Sequence, residues 1–200
     1  MVKPKSAESE LISKIIFGIE DVKGVDVNIM DYTRRTPLMV ACAAGNLDMV
    51  QMLISKGANV NMRGMNGKTA LNVAATKGYE TIVKLLVEQG GADTNIPDND
   101  GTIPLMVAVE NAREVNRGEY AILRLLLREE QVWGPQFPGP GADPNIQTVN
   151  GDTPLIQAVI QESPEIVRIL LKYRADPNIP NNSGNRPLSL AVRKQNPVIV

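Results

Sequence analysis

Apolar residues fall at helical spacing in short runs along this chain, and the runs come back in the same order. Leu38, Ala41 and Cys42 share one helical face, as do Leu71, Ala74 and Ala75, then Leu105, Ala108 and Val109, then Leu155, Ala158 and Val159. The small residues among them let a neighbouring helix come close. Thr36-Pro37 and Thr153-Pro154 predict helix starts. A Thr hydroxyl accepts from a first-turn N–H, and Pro at the first helical position gives up a donor that would be orphaned anyway. A second amphipathic stretch follows each first one, with Met49, Val50 and Leu53, then Ile82, Val83 and Leu86, then Ile166, Val167 and Leu170 inward. Gly57 and Gly91 sit where such a helix ends on a left-handed residue. An Ala-Asp/Asn-x-Asn tail, with a Gly two residues before the next Thr, predicts a turn-rich finger between copies. Leu11, Ile12, Ile15, Ile16 and Ile19 line one face of a further helix near the start.

Equivalent positions 36, 69, 103, 153 and 186 are separated by 33, 34, 50 and 33 residues, and a period near 33 marks one kind of array. The phrases TPLMVACAAGNLDMVQMLISKGANVN and TPLIQAVIQESPEIVRILLKYRADPN carry the resemblance, which is to the ankyrin repeat family and covers roughly Val22 to Val200. The resemblance implies an all-α solenoid of stacked helix-turn-helix units with β-turn or hairpin fingers, as a single domain over 1–200. Its parts would be a capping helix and first finger (1–35), repeats at 36–68, 69–102, 103–152 and 153–185, and a partial repeat at 186–200. One departure matters. The family's T-P-L-H motif puts His fourth, where this chain has Met39, Asn72, Met106, Ile156 and Ser189, so the inter-repeat hydrogen bonds of that His are expected to be absent or replaced. The last copy breaks off at Val200 where a Lys-Leu-Leu segment would come, which suggests a fragment of a longer protein.

The long step of 50 reflects two insertions in the third repeat. The first, around Ala112 to Arg117, has helix-compatible composition and is expected to lengthen the first helix by more than a turn. The second, around Glu129 to Pro140, is rich in Pro and Gly and cannot be regular helix. It carries Trp133 and Phe137, which are expected to fold back onto the outer helices. The competing reading is an exposed Pro-rich docking peptide, with Pro135 and Pro138 at P-x-x-P spacing.

Composition narrows the function more by exclusion than by assignment. The chain has 200 residues, 43% hydrophobic and 4% aromatic, with a net charge of −1, which argues against general nucleic-acid affinity. It contains no His, excluding Ser-His-Asp and Cys-His nucleophiles and imidazole metal sites. Cys42 is the only cysteine; it reads as a small core residue, allows no internal disulfide and suits a reducing compartment. The start, MVKPKSAESE, is too polar for a signal sequence, and no apolar run reaches membrane-spanning length. An intracellular protein, cytoplasmic or nuclear and without membrane insertion, is expected. Gly67-Lys68-Thr69 lacks the upstream Gly and strand of a phosphate loop, and Asp98-Asn99-Asp100-Gly101 lacks the first ligand and bidentate Glu of a calcium loop. No catalytic residue, cofactor or metal site is therefore expected, and the chain does not read as an enzyme.

The resemblance implies a protein partner docked on the concave face made by finger tips and first helices. Carried over residue by residue, that face comprises Met30, Tyr32, Arg35, Arg63, Met65, Lys68, Lys77, Asp100, Glu110, Val149, Asp152 and Ile160, to which Trp133 and Phe137 of the insertion are added. Thr33, Asn66, Pro97, Asn99, Gln147, Asn150, Asn182, Asn185, Arg193 and Lys194 fill in the rest. Its early fingers are basic, its middle acidic and its last finger basic. Reversing Arg35, Arg63 and Lys68 is expected to leave stability unchanged, as for solvated tips. Two functions are in view: a monomeric protein-binding scaffold, or a structural or regulatory arm of a larger multidomain protein such as an enzyme, effector or channel.

Overall fold

The computed structural model describes Ile12, Lys14 and residues 26–112, 120–128 and 141–195. The chain divides into two compact units, Met1–Asp93 and Thr94–Val200. Among the described residues both are built from helices and turns, without strands.

In the first unit, helices α1 (Pro37–Ala44) and α2 (Leu47–Ser55) pack against one another, and α3 (Ala70–Lys77) and α4 (Glu80–Glu88) repeat the arrangement. Contacts run within each pair and from α1 to α3 and α2 to α4. The first helices start where the Thr residues place them. Thr36 Oγ1 accepts from the Met39 N–H at 3.2 Å and Thr69 Oγ1 from Asn72 at 3.3 Å. Asn46 does the same for α2, accepting from Met49 at 3.0 Å. Gly57 and Gly91 take the left-handed conformation after the second helices, at φ 83° and 65°. Leu38, Ala41, Cys42, Val50, Leu53, Leu71, Ala74, Ala75, Ile82, Val83 and Leu86 form the core, with Met49 only half-buried.

The second unit holds α5 (Pro104–Asn111), α6 (Ala121–Leu126), α7 (Pro154–Ile160), α8 (Pro164–Lys172) and α9 (Pro187–Arg193). Helix α5 packs on α6 and α7, and α7 on α8 and α9. Thr153 Oγ1 caps α7 by accepting from Ile156 at 3.2 Å, and Pro164 opens α8. Ile103 stands in the Thr position of α5 and is buried instead of capping. At α9, Ser189 Oγ reaches back to accept from the Arg186 N–H at 3.0 Å. The turns after α7 and α8 use left-handed Glu162 (φ 60°) and Arg174 (φ 66°) without glycine, so their sequence carries no turn signal. Helix α5 stops at Asn111 after eight residues, the length of α1 and α3. The expected lengthening thus does not run on from it, and 113–119 lie outside the described residues. So do 129–140, with Trp133 and Phe137, and 196–200. Of the helix expected over Leu11–Ile19, Ile12 and Lys14 are helical and Ile12 is buried.

Successive copies are linked by hydrogen bonds at a different position from the fourth residue of the motif. Asn28 Oδ1 accepts from the Asn59 N–H at 2.7 Å and Asn61 Oδ1 from Asp93 at 2.9 Å. In the second unit Asn95 accepts from Asp143 and Asn145 from Asp176, both at 2.7 Å. One Asn per copy therefore ties its own turn to the backbone of the next. At the former His position Met39, Met106 and Ile156 are simply buried, while Asn72 is buried with neither carboxamide atom hydrogen-bonded. A buried polar group left unpaired costs about 1–3 kcal/mol.

Two outcomes test this packing. Leu86 and Leu170 are fully buried, so truncating either to Ala is expected to cost roughly 2–5 kcal/mol in urea melts; an unchanged midpoint would mean the inward face is misassigned. Asn72→Met, which copies the residue at the same repeat position in Met39 and Met106, is expected to raise stability by about 1 kcal/mol, and a lower melting point would show that the carboxamide is satisfied.

Candidate functional site

The fingers share one hydrogen-bonded turn. Its first residue is Asp31, Gly64, Asp98, Thr148 or Asn181, whose N–H donates to the carbonyl four residues on, and the N–H three residues on donates back to it, all at 2.8–3.1 Å. The fourth residue is left-handed: Gly67, Gly101, Gly151 and Gly184 lie at φ 74–79°. In the first finger Arg34 takes that place at φ 59°. The glycines serve spacing too, since a Cβ on Gly151 would lie 2.6 Å from the Asn182 N and one on Gly101 2.8 Å from the Thr148 Cα.

The first residue braces the turn with its side chain. Oδ1 of Asp31, Asp98 and Asn181 accepts from the N–H groups two and four residues on, at 2.9–3.1 Å. Thr148 Oγ1 takes one such bond, from Asp152 at 3.2 Å. Gly64 carries no brace because a Cβ there would sit 2.6 Å from both the Arg34 carbonyl oxygen and Met39 Sδ. That contact also shows that the first two fingers touch.

Asp31 is the strongest case. Its buried carboxylate accepts from the Thr33 hydroxyl at 2.6 Å and holds Arg35 in a fork, with Nε at 3.0 Å and Nη2 at 2.8 Å. Burial by itself would raise its pKa, but the Thr33 and Arg35 hydrogen bonds and the guanidinium charge outweigh that and hold it below the ordinary value. The expectation that Arg35 can be reversed without cost is therefore corrected. A carboxylate there would face buried Asp31 and remove its partner.

Large apolar side chains crown the same finger position in both units. Tyr32 is 66% exposed and Met65 55% in the first unit, and Val149 is 61% exposed in the second. Around Tyr32 and Met65 lie Arg34, Arg35, Arg63 and Lys68, with Lys77 in the last turn of α3 and Met30 half-buried. Arg63 Nε donates to the Gly67 carbonyl at 3.2 Å, which fixes it to its own finger. In the second unit Asp100 and Glu110 are exposed. Asp152 is instead engaged, accepting from Asn181 Nδ2 at 2.8 Å. Gln147 Nε2 bridges to the carbonyls of Gly151 and Pro180, and Asn182 Nδ2 donates to that of Val149 at 2.9 Å. These residues staple successive fingers together. Exposed Ile160 lies beside Lys194, whose Nζ donates to its carbonyl at 2.8 Å and pairs with Glu162 at 3.0 Å. Arg34 is not among the residues the sequence reading singles out, although lining the copies up by their period puts it in the glycine column; the linking residues Asn61, Asn95 and Asn145 close the Ala-Asp/Asn-x-Asn tail, which that reading takes only as turn-forming.

Gly67, Lys68 and Thr69 form finger, tip and helix cap, and Asp98 serves its own turn. Among the described residues no three His, Cys, Asp or Glu side chains gather as a metal site would require, and no helix is long and apolar enough to cross a membrane. Burial pushes the Cys42 thiol up to about 12.

Family models described as ankyrin repeats (3 copies) match residues 61–135 and 115–200, and one described as ankyrin repeats (many copies) matches residues 22–74. The chain belongs to the ankyrin repeat family. A search of the curated proteins gave no match. Ankyrin repeats are generally protein–protein interaction modules, and proteins built from them are typically non-enzymatic scaffolds.

Asp31 gives this site a pH signature. Because its folded pKa is depressed, its stabilisation is fully present above the unfolded value near 4 and is lost as pH falls through the folded value. Asp31→Ala is expected to cost about 1–3 kcal/mol at neutral pH, with the gap to wild type closing in acid. Equal urea midpoints at neutral pH would refute the bracing role.

Proposed function

We infer that this ankyrin array is a protein-binding scaffold whose partner docks on the finger tips and first-helix surfaces. The observation that carries the reading is the recurrence of a large exposed apolar residue, Tyr32, Met65 and Val149, at one position of the hydrogen-bonded turn that the fingers share. Interface hot spots favour aromatic and Arg side chains set on a rigid frame. Met30, Arg35, Arg63, Lys68 and Lys77 would surround the anchors in the first unit, and Asp100, Glu110, Asp152 and Ile160 in the second. Trp133 and Phe137 belong to the reading from sequence alone.

A second reading, an arm of a larger assembly, draws on α9. Leu188 and Val192 are 55% and 57% exposed there, whereas their counterparts Leu38 and Cys42, Leu71 and Ala75, Leu105 and Val109, and Leu155 and Val159 are all buried. Such an apolar pair suits a covering surface.

The two readings separate by mutation. Tyr32→Ala, Met65→Ala and Val149→Ala together are expected to abolish capture of a partner from cell extract while melting moves by no more than about 0.5 kcal/mol per site. Capture that survives this variant but is lost with Leu188→Ser and Val192→Ser would favour the arm.

A further inference from the structure

Resting on the scaffold reading, we propose that the first two fingers receive an extended, acidic segment of the partner protein that carries a large apolar side chain. Three independent features of the first unit converge on that chemistry.

Charge is the first. Along its fingers and first helices, residues 29–44 and 62–77, the basic side chains are Arg34, Arg35, Arg63, Lys68 and Lys77, and the sole acidic one is Asp31, buried and occupied by Arg35. Arg34, Lys68 and Lys77 form no ion pair among the described residues. Like charges gathered on two successive fingers and their helices raise a positive potential that an anionic partner relieves. Elsewhere the chain offsets them to a net −1, so the field is local to this patch, which suits a short acidic segment better than a polyanion.

Shape is the second feature. Tyr32 and Met65 stand at the same position of touching fingers and are mostly exposed. Together they offer a two-sided apolar seat for one side chain. Their supports are fixed in advance by the Asp31–Arg35 fork and by the Arg63 bond to Gly67, which lowers the ordering cost of binding.

The backbone supplies the third. In the second unit, the N–H of the second finger residue donates to the carbonyl of the third residue of the preceding finger: Val149 to Asp100 at 2.9 Å and Asn182 to Asn150 at 3.0 Å. The matching groups in the first unit, the Met65 N–H and Thr33 carbonyl, do not pair. Asn66 lies at φ 56°, ψ 22°, and Met65–Gly67 close instead as one tight turn in which the Lys68 N–H donates to the Met65 carbonyl at 3.2 Å. A donor and an acceptor are thus left between Tyr32 and Met65, and an extended strand offers the complementary pair at each of its residues.

Selection of a random 12-residue peptide library on the full chain tests the proposal. The expected pool is enriched in Asp and Glu around a single Leu, Met or aromatic residue. Its binding should weaken at least about tenfold with Lys68→Glu/Lys77→Glu and again when salt is raised to roughly 0.5 M. Amide exchange at Met65 should slow when the selected peptide binds, and urea melts of the variant should match wild type. Basic or neutral peptides, or binding indifferent to the double reversal, would overturn it. If the selected peptides are instead lost with Val149→Ala, the scaffold reading stands and this seat does not. A labelled single-stranded RNA 12-mer that binds where acidic peptides fail, and is released by the same reversal, would also overturn it in favour of nucleic acid. Enrichment that survives the alanine variants of all three finger anchors counts against both.

Discussion

A single helix pair of this protein cannot bury its own apolar side, and everything else in each unit answers to that constraint. Leu38 and Cys42 of α1 disappear only because α3 lies against them, as Leu155 and Val159 of α7 do against α9. Repeats stacked in this way derive stability mainly from nearest neighbours. The first helices must approach closely, hence Ala, Cys and Val along their shared face. At Leu188 and Val192, against which no helix after α9 lies among the described residues, the side chains are exposed.

Close helix stacking brings the connecting turns together as well, and their polar groups then need partners. Asn28, Asn61, Asn95 and Asn145 each accept a backbone N–H from the next copy, fixing the register of one turn on another. Such bonds are exposed and add only about 1 kcal/mol each, so their main effect is on register. The finger turns solve the same problem internally through Asp31, Asp98, Thr148 and Asn181. Gly64 dispenses with a side-chain brace because the preceding finger's carbonyl fills the space.

The two units use one framework with different surfaces. In the second, backbone and Asn or Gln side chains staple neighbouring fingers, so Asp152, Gln147 and Asn182 are already committed. In the first, Arg35 is committed to Asp31, while Arg34, Lys68 and the Met65 N–H are not. Sequence reasoning placed Arg35, Met65, Lys68, Gln147, Asp152 and Asn182 on one face without separating structural from available ones. Residue type does not reveal whether a side chain has found its partner within the fold.

The sequence by itself determined the repeat family, the helix starts at Thr36 and Thr153 and the inward residues, because the period, the caps and the apolar spacing are all local. It also indicated that the hydrogen bonds of the missing His would be absent or replaced. Only the tertiary structure decided that Asn side chains link one copy to the next, that Asn72 is buried without a hydrogen-bond partner and that Arg34 takes a left-handed backbone without being glycine. These outcomes depend on backbone groups from different copies, 31 to 48 residues apart, or on a backbone angle that neighbouring turns enforce. Neither is written in the identity of the residue that bears it.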